Sequence, residues 1–261
     1  MLNGKTIVIT GVSSGIGART AELAIAQGAD VIGIDMRDPP ARHGAFLKGD
    51  ISTPEGIAAI VERLPPRIDA LLNIAGVSGT GGAALTLAIN FYGLRLLSEN
   101  LAGRIREGGA VVNVASVAGY GWRANLERAK RLVAAPGFPD ISRVLADNGV
   151  PDEIGYPLSK ELLILWTQMA AHQPLFKRRG IRVNAVSPGP VETPILTQFR
   201  SVLGDAKVDS DIDRTGRAGT ASDIAPVILF AASDAARWIN GANLAADGGL
   251  EASINADVLG F

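Results

Sequence analysis

Residues 6–17 read TIVITGVSSGIG, an apolar run followed by three spaced glycines and the start of a helical pattern. The continuous run Thr6–Thr10 predicts a strand buried on both faces of a parallel sheet. The pattern from Gly15 to Gln27 predicts a helix, and Gly28 ends it. A strand, a glycine-rich turn and a helix in this order form the first half of a βαβ unit.

Short β-branched runs alternate with longer helical patterns along the rest of the chain. The further predicted strands are 30–35, 68–73, 109–115, 181–186 and 243–246, and the further predicted helices are 54–64, 85–106, 156–171 and 222–232. This alternation predicts an α/β fold with a doubly wound, Rossmann-type parallel sheet flanked by helices. No repeat or linker separates two halves, so residues 1–261 are predicted to form a single domain.

Two stretches interrupt this alternation. Residues 121–150 are predicted to be a helical insertion before the 156–171 helix, and residues 193–219 are predicted to be a mobile lid. We hypothesise that apolar side chains of the insertion wall a substrate pocket. An equally good alternative is that the same side chains pack a small core of their own. They are Trp122, Leu126, Leu132, Val133 and Phe138.

Composition excludes several classes of function. The formal net charge of 261 residues is −1, so a nucleic acid or an anionic membrane surface is not an expected partner. The apolar run at the start is too short for a signal peptide or a membrane span. Cysteine is absent, which excludes disulfides and thiolate metal sites, and only His43 and His172 remain as imidazole ligands. We expect a cytoplasmic protein without a metal.

The glycines of the first turn have the spacing G-x-x-x-G-x-G. Glycine permits a tight turn and lets a pyrophosphate approach the backbone, and the free amides of the helix start face the phosphate charge. An ordinary flexible turn is the alternative, which the position between strand and helix disfavours. The residues predicted to contact a dinucleotide here are Gly11, Ser13, Ser14, Gly15, Ile16 and Gly17.

Asp35 ends the second predicted strand, where a carboxylate accepts from both ribose hydroxyls and repels the extra phosphate of NADP. NAD is therefore the predicted cofactor, although Arg37 leaves NADP open because arginine can receive a 2′-phosphate. Asp50 is a candidate acceptor for the adenine amino group, and a solvated turn aspartate before Ser52 is equally plausible. Further predicted cofactor contacts are Met36 and Ile51 and, in a small-residue stretch that permits close approach or simply packs tightly, Asn73, Ala75 and Gly76.

Tyr156 and Lys160 are four residues apart at a predicted helix start and therefore share one helical face. A nearby ammonium lowers the pKa of a tyrosine, which can then give a proton to a ketone or take one from an alcohol. On its own the pattern is more often a core tyrosine beside a surface lysine. Ser116 changes this balance, because it ends a strand where it can hydrogen-bond the reacting oxygen. Asn90 is expected to hold a water near Lys160, or else to satisfy buried backbone groups.

These motifs occur together and in one order along the chain. They are Thr10-Gly11…Gly15-Ile16-Gly17, Asp50, Asn73-Ile74-Ala75-Gly76, Asn90, Ser116, Tyr156…Lys160, Asn184, and Pro188-Gly189 with Thr193. The set resembles the short-chain dehydrogenase/reductase family from about Lys5 to Gly249. The resemblance implies a dinucleotide-binding catalytic domain, an oxidoreductase that transfers hydride between NAD(H) and a small-molecule alcohol or carbonyl, with a secondary or aromatic alcohol expected.

The resemblance also implies a role for each site residue. Tyr156 would be the acid/base, and Lys160 would bind the nicotinamide ribose and lower the pKa of the tyrosine. Ser116 would orient the substrate oxygen, and Asn90 would support a proton relay through water. The nicotinamide end would be contacted by Pro188, Gly189, Val191 and Thr193.

Two spacings depart from the common pattern of the family. Ser116 and Tyr156 are 40 positions apart, which is unusually long, and Gly76 and Asn90 are 14 apart, which is short. Both features, with the stretch 33–38, resemble the branch that contains bacterial 3α-hydroxysteroid dehydrogenase/carbonyl reductase and coniferyl-alcohol dehydrogenase.

The family resemblance also bears on the oligomeric state of the protein and on its alternative function. The insertion would obstruct the helix-to-helix dimer face common in the family. A homodimer through the 222–232 helix and the last strand is therefore expected, with a homotetramer as the alternative. A dinucleotide-sensing regulatory protein without turnover is the alternative function, disfavoured because Ser116, Tyr156 and Lys160 are all present.

Overall fold

A parallel sheet forms the centre of the molecule. The computed structural model describes residues 2–41 and 43–261. The strands are β1 Thr6–Thr10, β2 Asp30–Asp35, β3 Ala45–Lys48, β4 Ile68–Asn73, β5 Ile105–Val114, β6 Arg182–Pro188, β7 Val191–Glu192, β8 Gly219–Thr220 and β9 Asn243–Ala246. Seven of them form one parallel sheet in the order β3-β2-β1-β4-β5-β6-β9, and β7 pairs with β8 separately.

Helices connect the strands and cover both faces of the sheet. They are α1 Gly15–Ala26, α2 Pro54–Arg63, α3 Gly82–Leu87, α4 Leu94–Leu101, α5 Leu126–Val133, α6 Ile141–Asp147, α7 Gly155–Ala170, α8 Pro174–Lys177, α9 Leu196–Leu203, α10 Asp205–Thr215, α11 Ala221–Ala232 and α12 Leu250–Leu259. A π-helical turn, Ala88–Gly93, joins α3 to α4. None of the helices in the described ranges is both long and apolar enough to cross a membrane.

The strand sequence explains the two-sided burial of the sheet. Successive side chains of a strand point to opposite faces. In β1, Val8 joins one apolar cluster, which includes residues of α2, α4 and α7. Ile7 and Ile9 join the other cluster, which includes residues of α1 and α11. The predicted α/β fold class is confirmed.

The strand order places a crevice at the centre of the sheet. The chain builds β1, β2 and β3 in one direction and then returns to add β4 on the other side of β1. In open α/β sheets, ligands bind beyond the carboxyl ends of the strands where the order reverses. The turn after β1 and the residues after β4 therefore form the two sides of one groove.

Two element boundaries differ from the sequence prediction by four residues or more. The helix predicted to run to residue 106 ends at Leu101, and β5 already begins at Ile105. The partner of β4 shifts along β5 between Ile68 and Ala70, and Gly108 has a φ of 71° there. This irregularity interrupts the strand pattern, so its first residues resemble a loop. Strand β3 and helix α12 were not predicted at all.

Helical structure separates β5 from α7, as the predicted insertion requires. Helices α5 and α6 lie in this segment, and α5 packs on α7. Buried Arg95 of α4 holds the end of α5, because its guanidinium donates to the carbonyl oxygens of Val133, at 2.9 Å, and Ala135, at 2.7 Å. The insertion is thus joined to the main core rather than standing apart from it. The segment predicted as a lid contains α9 and α10.

Candidate active site

A cavity of about 780 Å³ opens at the carboxyl ends of the central strands. Its wall combines the glycine turn, the ends of β2, β5 and β6, the start of α7, and helices α9 and α10. Most of the predicted site residues line it. They are Gly11, Ser13, Ser14, Gly15, Ile16, Gly17, Asp35, Met36, Ile51, Ala75, Gly76, Ser116, Tyr156, Lys160, Pro188, Gly189, Val191 and Thr193.

The glycine turn has no room for side chains at two positions. A Cβ on Gly11, whose φ is 80°, would lie 2.8 Å from the backbone of Ala75. A Cβ on Gly17 would lie 2.0 Å from the carbonyl oxygen of Gly11. Ser14 is the N-cap of α1, but its side chain makes no capping hydrogen bond, so the first amides of this helix have no side-chain acceptor there. Such a turn suits the pyrophosphate of a dinucleotide.

Asp35 lies against this turn at the end of β2. One carboxylate oxygen accepts from the Ser13 amide at 2.9 Å, and the other accepts from the Arg37 amide at 3.0 Å. A carboxylate has about four acceptor positions, so Asp35 keeps capacity for ribose hydroxyls. The Arg37 guanidinium donates to the Ser13 hydroxyl at 3.3 Å and lines the same part of the cavity.

Tyr156 and Lys160 lie side by side at the start of α7. The Lys160 ammonium is 5.7 Å from the centre of the Tyr156 ring and donates to the Val114 carbonyl at 2.9 Å. Ser116 follows β5 on the same wall of the cavity. The structure thus brings together the phenol, the ammonium and the hydroxyl that the sequence singled out.

The pKa values of this pair correct one expectation. Burial raises the pKa of Tyr156 to about 12, although a hydrogen bond with Ser116 opposes the rise. Burial also lowers the pKa of Lys160 to about 8. Removal of the phenol from water is thus the main influence on the Tyr156 pKa and acts against the lowering that the sequence predicts.

Asn90 lies in the π-helical turn, and both atoms of its side-chain amide form hydrogen bonds within the protein. Its amide oxygen accepts from the Val77 amide at 2.8 Å, and its nitrogen donates to the Val77 carbonyl at 2.9 Å and to the Ser159 hydroxyl at 3.1 Å. The side chain is fully buried and does not line the cavity. The amide thus satisfies backbone groups, which is the alternative considered for it, and its part in holding a water stays a prediction.

Asn73 also lies outside the cavity lining. Its amide nitrogen donates to Ser98 and to Asn113, both at 2.8 Å, and Asn113 in turn donates to Thr167 at 2.9 Å. This buried network joins β4 and β5 to α4 and α7. The Asn73 side chain therefore holds the sheet to its helices, in disagreement with the predicted cofactor contact.

Asp50 is the third predicted residue that the cavity lining omits. Its carboxylate accepts from the Ser52 amide at 2.7 Å, which is the turn geometry considered as the alternative. Gly49 and Ile51, on either side, do line the cavity.

The lid, and not the insertion, supplies the apolar wall near Tyr156. The ring of Phe199 in α9 is 4.6 Å from the ring of Tyr156, and buried Ser78 donates to Gln198 at 2.8 Å. None of these residues is among the predicted site residues, although 196, 199 and 203 have helical spacing of apolar side chains. The missed lid residues of the lining are Pro194, Ile195, Leu196, Gln198, Phe199, Leu203, Lys207, Val208 and Asp211.

The insertion side chains have a different place from the hypothesised pocket wall. Leu132 and Val133 are buried in the main core, and Leu126 and Phe138 pack against it. Trp122 packs there too and lines a separate cavity of about 140 Å³ beside Ser116. These side chains therefore extend the main core, instead of walling the substrate pocket or forming a separate small core. Within residues 2–41 and 43–261, no group of three or more acidic, histidine or cysteine side chains is placed to hold a metal ion.

Comparison with known proteins places this geometry in a family. The family model described as short chain dehydrogenase matches residues 5–126, and the one described as enoyl-(acyl carrier protein) reductase matches residues 140–251. Coniferyl-alcohol dehydrogenase of Pseudomonas sp. strain HR199 is 45% identical over 249 residues, which cover 95% of this chain and 97% of that protein. The chain belongs to the short-chain dehydrogenase/reductase family. It is an oxidoreductase with a dinucleotide cofactor.

Solved structures of this family share the whole architecture. The 3-alpha-hydroxysteroid dehydrogenase from Pseudomonas sp. B-0831, complexed with NADH, has a TM-score of 0.80 and 30% identity, covering 96% of this chain and 98% of that one. A short chain dehydrogenase from Burkholderia cenocepacia J2315, in complex with NADP, has a TM-score of 0.72 and 28% identity, covering 95% and 98%. The predicted resemblance to the branch that contains 3α-hydroxysteroid dehydrogenase and coniferyl-alcohol dehydrogenase is confirmed. The two solved structures also show that family members of similar fold bind either NADH or NADP.

Proposed function

We propose that this short-chain dehydrogenase is an NAD-dependent alcohol dehydrogenase that oxidises aromatic alcohols to the matching carbonyl and catalyses the reverse reduction. The observation that carries the proposal is the grouping of Ser116, Tyr156 and Lys160 on one wall of the cavity that begins at the glycine turn. The substrate class is supported by the relative that shares 45% of its residues and acts on coniferyl alcohol.

Distinct parts of the cavity wall would hold the cofactor. The amides at the start of α1 would bind the pyrophosphate, and Asp35 would accept from the adenosine ribose. Lys160 would donate to the nicotinamide ribose. The nicotinamide end would lie against Pro188, Gly189, Val191 and Thr193. When bound, the nicotinamide supplies the hydride acceptor in oxidation and the hydride donor in reduction.

The protein's own residues would move the proton. Ser116 would hold the substrate oxygen beside the Tyr156 hydroxyl, since both residues line the same wall of the cavity. In oxidation the Tyr156 oxygen takes the hydroxyl proton of the alcohol, and in reduction it returns a proton to the carbonyl oxygen. The Lys160 ammonium favours the phenolate that oxidation requires. Phe199 covers the tyrosine ring and would exclude water, and Asn90 would position the start of α7 through Ser159.

Asp35 supports NAD over NADP. The 2′-phosphate of NADP would place negative charge beside the carboxylate, whereas the two ribose hydroxyls of NAD donate to it. Arg37 lines the same region, but its guanidinium donates to Ser13. The proposed preference for NAD thus rests on the negative charge of Asp35.

One kinetic comparison tests the proposed function. Purified wild type should form NADH from NAD and coniferyl alcohol, and Tyr156→Phe should lose about 10²- to 10⁴-fold in kcat, the usual contribution of a general acid/base. NADH binding, followed by its fluorescence, should be retained by the variant because the phenol oxygen is not needed to hold the pyrophosphate. Equal rates for the two proteins would contradict the acid/base role.

For assembly we propose a homodimer that uses α11 and β9, with a homotetramer as the alternative. Strand β9 is an edge of the sheet, so its outer hydrogen-bonding groups face away from β6. Trp238, between α11 and β9, is 97% exposed, which is unusual for a large aromatic side chain. Light scattering of wild type and Trp238→Ser should show weaker association in the variant. The cytoplasmic location stays a prediction from the sequence.

A further inference from the structure

The charged side chains of the cavity wall fall into three groups. Asp35 and Arg37 flank the glycine turn, and Lys160 lies beside Tyr156. The third group is a pair on α10 of the lid, Lys207 and Asp211. The first two groups have roles in the proposed function, and the pair on α10 has none there.

The pair lies on one face of α10, because its members are four residues apart. The Lys207 ammonium donates to both carboxylate oxygens of Asp211. The Asp211 side chain is only 14% exposed, and Val208 between them is buried. The Lys207 side chain is 58% exposed, so only the carboxylate is largely withdrawn from water. Among the described residues, no second side chain forms a hydrogen bond or ion pair with the Asp211 carboxylate.

The chemistry of the pair selects one kind of ligand group. The carboxylate keeps free acceptor positions, and the ammonium has three protons to donate. A hydroxyl can donate to Asp211 and accept from Lys207 at the same time. An anionic group would be repelled by the carboxylate, and a cationic group by the ammonium.

The wall that leads to the pair is apolar. In the lid, the Phe199 ring contacts the Tyr156 ring. Further apolar residues line the same cavity, and they are Leu203, Val208 and, from α12, Ile254. No hydrogen bond or ion pair in the described part of the chain joins Lys207 or Asp211 to Ser116, Tyr156 or Lys160. The apolar side chains of this wall suit an aromatic ring of the substrate.

We propose that Lys207 and Asp211 are specificity-determining residues that bind a hydroxyl of the substrate remote from the reacting carbon, so that the enzyme prefers phenolic over non-phenolic aromatic alcohols. This inference rests on the proposed function and refines its substrate class.

Three alcohols that differ at a single position test the inference. 4-Hydroxycinnamyl alcohol can donate to Asp211 and accept from Lys207, 4-methoxycinnamyl alcohol can only accept, and cinnamyl alcohol can do neither. Wild type should have its highest kcat/KM with the hydroxyl compound. Asp211→Leu should lower this kcat/KM by about tenfold or more, which is the effect of losing a hydrogen bond to a charged group. The kcat/KM of this variant with cinnamyl alcohol should stay within about twofold of the wild-type value. Lys207→Met should reduce the preference by a smaller factor.

A matched control separates recognition from loosening of the lid. Asp209→Asn removes an acidic side chain from the same helix, where Asp209 pairs with Arg200 at 2.7 Å and does not line the cavity. This variant should keep the wild-type ratio between the three alcohols. If Asp211→Leu does not fold, Asp211→Asn, which retains one acceptor without the charge, should give an intermediate ratio.

The two levels of the proposal fail in different ways. If wild type oxidises cinnamyl alcohol but the ratio between hydroxyl and non-hydroxyl substrates is the same in Asp211→Leu, the hydroxyl site is wrong and the proposed function stands. If wild type oxidises none of the three, the proposed substrate class is wrong. The hydroxyl site is then judged by dissociation constants of the same alcohols for the protein with NAD. Equal constants for all three would overturn it.

Discussion

At the scale of single residues, Lys160 shows the cost of building this site. Its pKa is lowered from 10.5 to about 8 by burial alone. Below pH 8 the lysine is protonated in both the folded and the unfolded chain, so the whole penalty acts on folding. Between pH 8 and 10.5 the unfolded chain holds more protons than the folded one, and the free energy of unfolding therefore rises with pH. The shift corresponds to about 3 kcal/mol.

Replacement of Lys160 should remove this pH dependence. We expect the free energy of unfolding of Lys160→Met, minus that of wild type, to be about 2 kcal/mol larger at pH 7 than at pH 9.5, where wild type has already lost most of the buried charge. Urea unfolding without cofactor at both pH values measures this difference. Exposed Lys177→Met is the control for removal of a positive charge. A difference that is the same at both pH values would contradict the buried-charge assignment.

The sequence allowed us to predict which residues form the catalytic group. It did not allow us to predict the hydrogen-bond partners of the buried polar side chains. The spacing of Tyr156 and Lys160 is local to one helix, so their adjacency follows from helical geometry. The partners of Asn90 lie in the loop after β4 and on α7, and they meet only after the sheet has formed. Nothing local distinguishes an amide that faces a cavity from one that satisfies a buried loop. The buried hydrogen bonds of Asn73 could not be predicted for the same reason.

Helices and strands with strong periodic patterns could be predicted, and the others could not. Helix α11 begins at a capping box between Thr220 and Asp223 and carries a long apolar stretch. Strand β3, by contrast, has four residues and only one fully buried side chain, Leu47. So short a strand has no alternation to detect. It is specified mainly by pairing with β2, which is a long-range interaction.

At the scale of elements, the insertion and the lid should respond differently to truncation of an apolar side chain. Leu132 of the insertion is fully buried in the core, so Leu132→Ala should cost about 2–5 kcal/mol in free energy of unfolding. The ratio of kcat/KM values across bulky and small alcohols should be unchanged, because Leu132 does not line the cavity. Chemical unfolding and steady-state kinetics measure the two effects.

Phe199→Ala in the lid should give the opposite result. Its ring lines the cavity against Tyr156, whereas α9 has no buried residues, so its truncation should change the alcohol ratio at little cost in stability. The opposite outcome would be a changed ratio of kcat/KM values for bulky and small alcohols in Leu132→Ala and an unchanged ratio in Phe199→Ala. It would show that the insertion, and not the lid, forms the substrate wall.

At the scale of the whole molecule, the sheet order explains why the cofactor and substrate meet in one cavity. The reversal between β1 and β4 opens the groove, and the ends of β2, β5 and β6 add Asp35, Ser116 and Pro188 along it. The sequence could predict this arrangement because the carboxyl ends of parallel strands share one edge. The path of the lid across the groove could not be predicted, since it depends on packing of α10 on α12.

Cofactor choice can be measured on the whole protein without knowing its substrate. A ligand that binds only the folded state stabilises it by about 2.7 kcal/mol at a hundred times its dissociation constant. Because Asp35 repels a 2′-phosphate, NADH should raise the melting temperature of wild type more than NADPH at equal concentration. Asp35→Ser should narrow or reverse this difference, whereas Asp38→Ser, three residues further on and outside the cavity lining, should preserve it. A larger shift with NADPH in wild type would assign the ribose site to Arg37 and overturn the proposed use of NAD.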